Sequence, residues 1–552
     1  MASDALLIGV DAGTSVIKAV AFDTDLRQIG QASRRNSYAT LPGGGAEQEM
    51  RRTWSDCAAV LRDLGVRIPD LARRALAVSV TGQGDGCWLI DASGEPVHDG
   101  WLWLDARAAD QAAALAASPD YETIYAHTMS GALACQMRSQ LLWMRTHAPA
   151  LLARAATAFH CQHWLFFRLT GVRGLDPTPA LYGFGDNAQR SYSDAVFEAS
   201  GLADLRHLIP PIIDGVNEAH PLSAAAAAET GLPQGLPVVL GYLDVMCTAL
   251  GAGLYDPQTL PGLSILGSTG IHMRFVPEAS ALRANPERSG YTMAFPAPAF
   301  GQLHTNMAAT LNIDWLLGLG ADLLSAHGLA RTGADLLAGL DERVMAARPG
   351  AAMYHPYISV AGERGPFVAP QARASFTGLS QDTGWFDLVR GVFDGLAMAA
   401  RDCYAALGGP PGDVRIAGGA ARSPAMRRIL ASALNRPVRS VAQPEAGAAG
   451  AVMIAAVQQG LFADIVACRR AWVDPLLESA TEPDGALVPV YDAMFAAYRD
   501  TRAALAPVWP AQAGLAATAL HGRADDRTDD PANNPADDPA DDPADGPADG
   551  PA

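Results

Sequence analysis

The sequence predicts an α/β protein of two domains with related topology. Three observations carry this expectation. Short apolar strand-like runs alternate with long Ala- and Leu-rich helical runs, one strand–turn–strand signature occurs twice, and the chain is too long for one core. At 552 residues it exceeds the size at which a single hydrophobic core keeps growing, so two or more large domains are expected. Alternating strands and helices belong to the α/β class.

Taken in order, strands are expected at Leu6–Val10, Val16–Phe22, Leu76–Val80, Trp88–Ile90, Val238–Leu240, Leu263–Leu266 and Val414–Ala417. Helical patterns fall at Glu49–Leu64, Ser139–Arg145, Trp385–Leu407, Ala425–Leu434 and Gly447–Gln459. Two turns of the same character, Asp11-Ala12-Gly13-Thr14-Ser15 and Gly267-Ser268-Thr269-Gly270, each follow an apolar strand and precede another β-like stretch. Used twice, that unit predicts two domains that each offer one hairpin turn to an anion. Gly241, Gly251, Gly253 and Pro257 cluster between the two units, which divides the chain into 1–250 and 251–515. From 516 to 552 the sequence becomes repeats of Asp, Pro and Ala with nothing to bury, and a disordered acidic tail is expected.

Composition narrows the class of function. Hydrophobic residues make up 49% and charged residues 18%, the profile of a soluble globular enzyme. No apolar run is long enough for a membrane span, and the N-terminus Met1-Ala2-Ser3-Asp4-Ala5 lacks the basic region of a signal peptide. Seven cysteines are scattered singly with no CxxC pair, which is neither a disulfide framework nor a zinc site and fits the cytoplasm. His160 and His163 flank Cys161 with no third ligand at a metal-site spacing, so they read as structural. From Asp525 onward the tail holds ten Asp and one Arg, half of the net charge of −18, so the folded part is only mildly acidic. That balance disfavours nucleic acid and anionic membrane as partners.

Three motifs carry chemistry. In Leu7–Asp23 a buried strand delivers Asp11 to its end, and a turn of Gly13, Thr14 and Ser15 follows before a second strand begins with Lys18 inside it. Gly13 lets backbone N–H groups approach an anion, the two hydroxyls add donors, and Asp11 is placed to hold Mg²⁺ through water. An ordinary hairpin with a small-residue turn has the same local pattern. No GxxxxGK[ST] loop exists, and Gly82-Gln83-Gly84-Asp85-Gly86 has the wrong spacing for a dinucleotide fingerprint. In Pro237–Asp244 an apolar strand again ends near a carboxylate, which can accept a proton from a substrate hydroxyl as it attacks a phosphate. A helix cap at Asp244 is the alternative. In Arg415–Ala425 a strand runs into Gly418, Gly419 and Ala420, a backbone flat enough to lie against a purine, before Ser423 and Pro424 open a helix.

At these residues the sequence resembles the FGGY family of carbohydrate kinases, from about Leu6 to Leu461 and with the motifs in the family's order. Asp11–Lys18 is similar to its first phosphate motif, and Leu266-Gly267-Ser268-Thr269-Gly270 to its second. The stretch Ser375–Ser380 with the helix through Gly391–Ala397 resembles its signature region. Ala417–Arg428 is similar to its adenosine motif, and Glu445–Ala451 to its closing small-residue helix.

The resemblance implies two actin/hexokinase-like (ribonuclease H-like) domains flanking a cleft, ATP and Mg²⁺ as cofactors, and Asp244 as catalytic base. It implies nucleotide contacts from Gly13, Thr14, Ser15, Lys18, Gly267, Ser268, Thr269, Gly270, Gly418, Gly419 and Ala420. It also points to two substrate segments, one holding Gln83 and Asp85 and one holding Trp103 and Asp105. Gln83 fits both xylulose- and glycerol-type patterns, whereas Gly84 and Asp85 depart from both. An ionised Asp85 offers acceptors only, which suits a polyol better than a ketose carbonyl.

The stretch Asn36–Met50, with the two substrate segments, is most similar to erythritol kinases. The expected reaction is therefore phosphorylation of a small polyol or sugar hydroxyl, erythritol first. A pentulose kinase of the xylulose type is the alternative, and a non-catalytic nucleotide-binding sensor of the same superfold is the alternative of another class. A homodimer is the assembly considered.

Overall fold

The computed structural model describes residues 4–515. The acidic tail expected over 516–552 lies outside the described residues. All seven expected strands and all five expected helices are found, each within a few residues of its expected ends.

The first half is built on β1 (Leu6–Ala12), β2 (Val16–Asp23), β3 (Gln28–Arg35), β4 (Ala75–Gly82), β5 (His220–Pro221) and β6 (Pro237–Leu240). These form one sheet in the order β5-β6-β4-β1-β2-β3. β1 is antiparallel to β2 but parallel to β4, and β4 is parallel to β6. Central parallel strands are covered on both faces, which is why β1 and β4 are buried along nearly their whole length and show no alternation of buried and exposed residues. The helices that matter here are α1 (Met50–Arg67), α2 (Met137–His147) and α3 (Asp244–Gly251). The expected strand Trp88–Ile90 exists but pairs outside this sheet, with Thr157–Phe159.

The second half repeats the plan with β7 (Gly262–Leu266), β8 (Gly270–Val276), β9 (Tyr291–Ala294), β10 (Phe300–Asn306), β11 (Val414–Ala417) and β12 (Val438–Ser440). Its order is β9-β10-β8-β7-β11-β12. Apart from the extra edge strands β5 and β9, the two sheets have one topology: a leading hairpin, a third antiparallel strand beside it, and two parallel strands on the other side of the first. Around the second sheet lie α4 (Thr310–Ala326), α5 (Trp385–Ala406), α6 (Pro424–Leu434) and α7 (Ala446–Gln458).

Helix α7 joins the halves. It packs on β1 and on α3, and small residues let backbones touch. A Cβ added at Gly9 would meet the Ala448 carbonyl oxygen at 2.6 Å, and one at Gly447 would meet Asp11 Oδ2 at 2.5 Å. The sequence Ala-Gly-Ala-Ala-Gly-Ala is thus small because the first sheet and α3 lie directly against it.

Candidate active site

Ligands of open α/β sheets bind beyond the carboxyl ends of parallel strands, and here three such ends converge. β1 ends in Asp11-Ala12, β4 in Gly82 just before Gln83 and Asp85, and β6 just before the turn to Asp244. The register Ala12↔Gly82 and Leu240↔Val80 sets these ends side by side. Gly241 is required at the β6 exit, because a Cβ there would meet the Val80 carbonyl oxygen at 2.6 Å.

Two cavities lie near the Asp11–Asp244 pair. The larger, about 920 Å³, is lined by Asp11, Lys18, Thr248, Gly418, Gly419 and the segment 442–447, among others. Lys18 Nζ makes an ion pair with Glu445 Oε2 at 3.0 Å across the two halves. Gly418 has φ of +84° with extended ψ, and a Cβ there would meet the Leu266 carbonyl oxygen at 2.6 Å. Gly419 would meet nothing within 4 Å, so its backbone borders open space. Ala420 is buried and does not line this cavity. Asp11 accepts no hydrogen bond among the described residues. Burial pushes its pKa up to about 6, with Lys18 opposing and Glu445 adding to the rise.

The smaller cavity, about 220 Å³, is lined by Thr14, Asp85, Trp103, Asp244, Tyr291 and Arg364, with apolar side chains between them. Asp244 is the first residue of α3, and its Oδ1 accepts the Val245 N–H at 2.7 Å. A helix N-terminus favours the carboxylate, yet burial wins: the pKa rises to about 7, with the charges of Asp11 and Asp85 adding to it. The two hairpin turns face this region from opposite sheets, and both Thr14 and Thr269 line the cavity. The backbone N–H groups of Thr14, Ser15, Ser268 and Thr269 donate to nothing among the described residues, leaving two pairs of donors for an anion.

Several expected site residues hold others in place. The Thr14 hydroxyl donates to Gln83 Oε1 at 2.8 Å and accepts from Trp103 Nε1 at 2.9 Å. Gln83 Nε2 in turn donates to Gln48 Oε1 at 2.7 Å. Gln83 therefore sits behind the cavity and fixes the turn. Asp105 is also behind it, accepting the Ala46 N–H at 2.8 Å and the Arg107 Nε–H at 3.0 Å. The Arg107 guanidinium carbon lies over Trp101, 3.5 Å from the ring centre. Asp85 does face the cavity, in a left-handed turn with φ of +56°. Its Oδ1 accepts from Tyr182 Oη at 2.8 Å and its Oδ2 from Tyr291 Oη at 2.7 Å. Tyr182 belongs to the first half and Tyr291 to β9 of the second, so Asp85 ties the halves together at the cavity wall. His160 supports that turn through Nδ1 against the Asp85 carbonyl oxygen, 2.7 Å away.

Sequence reasoning missed Tyr182, Tyr291 and Arg364. Each is far in sequence from the motif it meets, and the local signal that could have pointed to Arg364 is the charged pair Glu363-Arg364 inside a Gly/Pro-rich loop.

Two sheets of one order, meeting at a divided cleft with carboxyls at its centre and free N–H turns on both sides, have the layout of a two-domain sugar kinase. The N-terminal-domain model of the FGGY family of carbohydrate kinases matches residues 6–251, and the C-terminal-domain model matches 262–459. The chain belongs to that family. It is 51% identical over 505 residues to a protein named erythritol kinase from Brucella abortus (strain 2308), covering 91% of this chain and 97% of that one. It is 26% identical to the xylulose kinase of Escherichia coli (strain K12), over 77% of this chain and 84% of that one. Among solved structures, xylulose kinase from Rhodospirillum rubrum superposes with a TM-score of 0.79 at 27% identity, covering 91% of this chain and 99% of that one. No helix among the described residues is long and apolar enough to cross a membrane.

Proposed function

We propose that the protein transfers the γ-phosphoryl group of ATP to a hydroxyl of erythritol. The observation that carries this is Asp244: a half-buried carboxyl lining a small cavity, with one oxygen outside any hydrogen bond, between two turns that offer unpaired N–H donors. The relative named erythritol kinase, at 51% identity along nearly all its length, supports erythritol as acceptor. The xylulose-type reading draws on more distant relatives.

In this reading the chain divides at 250/251 into a substrate side and a nucleotide side. The adenine lies along Gly418 and Gly419, and the phosphates reach between the two turns toward Lys18. Asp244 accepts the proton of the attacking hydroxyl, while Thr14 and Ser15 on one side and Ser268 and Thr269 on the other present N–H groups to the transferring oxygens. Mg²⁺ fits Asp11: the carboxyl borders the larger cavity and accepts no hydrogen bond among the described residues, and burial lifts its pKa to about 6, a destabilisation of the carboxylate that a bound cation would offset. Bound there, mostly through water, the ion would supply positive charge to the phosphates. Buried free thiols at all seven cysteines suit a cytoplasmic enzyme.

A coupled ADP-release assay over erythritol, threitol, glycerol, xylitol, xylulose and ribulose tests the reading. Erythritol should give the highest kcat/KM, and a faster reaction with xylulose would overturn it.

The pH profile provides a second test. Asp244 must be ionised to accept a proton, and its pKa in the free protein is about 7. Therefore kcat/KM for the acceptor should rise as pH climbs through about 7 and level off above it, because this parameter reports the free enzyme. The midpoint belongs to the coupled Asp11–Asp244 pair. A profile flat from about pH 6 to 8 would rule out a base in this environment.

A further inference from the structure

The small cavity contains one cationic side chain among the described residues, Arg364, and it comes from the second half of the chain. Its base is fixed. Its backbone N–H donates to Glu363 Oε1 at 2.9 Å, and that oxygen also accepts the Met307 N–H at 3.0 Å. Its Nε donates to Thr305 Oγ1 at 2.8 Å, at the end of β10, and the guanidinium lies 5.6 Å from the centre of the Trp103 ring. The two Nη groups remain: they make no hydrogen bond and no ion pair among the described residues. A guanidinium anchored at one edge, with its fork presented to a cavity, is arranged to donate to something that enters.

Asp85 lines the same cavity, and although burial disfavours the charged form of Arg364, the Asp85 charge helps to restore it with no hydrogen bond or ion pair joining the two. Asp85 Oδ2 accepts both the Tyr291 hydroxyl and the Cys135 thiol, whereas Oδ1 accepts the Tyr182 hydroxyl alone and has room for a second donor. Opposite charges therefore face one another over a gap, the donor fork on one side and the acceptor on the other. We propose that a substrate hydroxyl closes this gap, accepting from an Arg364 Nη–H and donating to Asp85. Arg364 is then a substrate-orienting residue supplied by the nucleotide-side half, so acceptor and nucleotide halves both hold the polyol. A hydroxyl can accept and donate at once. A carbonyl can only accept, and at that carbon it would leave Asp85 facing an acceptor, so the pair selects a polyol over its ketone.

This inference rests on the polyol-kinase reading, and the test separates the two. Wild type, Arg364→Met, Arg364→Lys, Asp85→Asn and the Arg364→Met/Asp85→Asn double variant are assayed with erythritol and with its four-carbon ketose, erythrulose. KM for ATP and thermal melting are measured alongside. Arg364→Met should raise KM for erythritol about tenfold or more and reduce the preference for erythritol over erythrulose by a similar factor. KM for ATP should stay within about twofold, and Arg364→Lys should recover part of the loss. In the double variant the losses should fall short of the product of the single ones, because both residues grip one hydroxyl.

Unchanged KM and preference in Arg364→Met, an equal rise in KM for ATP, or losses that multiply would each overturn the proposal. If Arg364→Met does not fold, Arg364→Lys carries the same readings, since it keeps the charge and loses the fork. A wild-type enzyme that ignores erythritol refutes the acceptor assignment instead, and the ratio is then read on the polyol it does use and that polyol's ketone.

Discussion

Asp244→Asn should lower kcat about 10²–10⁴-fold with ATP binding intact. The amide has the shape of the carboxylate, and its oxygen can still accept the Val245 N–H, so the start of α3 should hold. What it cannot do is take a proton. Phosphoryl transfer depends mainly on positioning and charge stabilisation, and proton acceptance is an added contribution, so the loss should be large but not total. The cavity lined by Gly418 and Gly419 does not include residue 244, so calorimetric titration with ATP should give an affinity close to that of wild type. Single-turnover measurement with saturating acceptor isolates the chemical step. Turnover near the wild-type value would make Asp244 a helix-start residue and remove the base from the mechanism.

Much of this site was legible in the sequence because its parts are local. A strand, a small-residue turn and a second strand are contiguous, so Asp11, Thr14 and Lys18 announce themselves together, as do Gly418 and Gly419. Asp244 was readable for the same reason, as a carboxylate just past an apolar strand. The roles of Gln83 and Asp105 were not, because polarity alone does not say which way a side chain faces. Gln83 spends its amide on Thr14 and Gln48, and Asp105 spends its oxygens on Ala46 and Arg107. The wall built by Tyr182, Tyr291 and Arg364 was illegible on different grounds. Tyr291 reaches Asp85 across 206 positions of sequence, and no periodicity marks a residue whose partner lies on another sheet. The repeated topology was partly legible: two matching turns predicted it, but the extra edge strands β5 and β9 had no signal of their own.

The glycines of α7 were readable as a small-residue helix, and the structure gives them a measurable consequence. Gly450→Ala should destabilise the protein by about 3 kcal/mol and reduce turnover, although it adds only one methyl group in a helix that otherwise favours alanine. The Cβ at position 450 would overlap the carbonyl oxygen of Cys247 in α3, and a backbone carbonyl inside a packed helix cannot swing aside as a side chain can. Relief requires α3 and α7 to separate. Those helices begin with the reacting groups: α3 with Asp244, and α7 just after Glu445, which holds Lys18, with Gly447 against Asp11. Separation therefore moves the base relative to the phosphate side, and loss of alignment on the scale of 1 Å costs about 10²-fold in rate. Gly318 supplies the opposite sign. It lies inside α4 with nothing within 4 Å of an added Cβ, so Gly318→Ala should stabilise by about 0.5–1 kcal/mol through helix propensity. Thermal melting of both variants beside wild type decides the matter. A Gly450→Ala protein that melts with wild type and keeps its turnover would show that α3 and α7 can part freely, and that their close contact does not align the site.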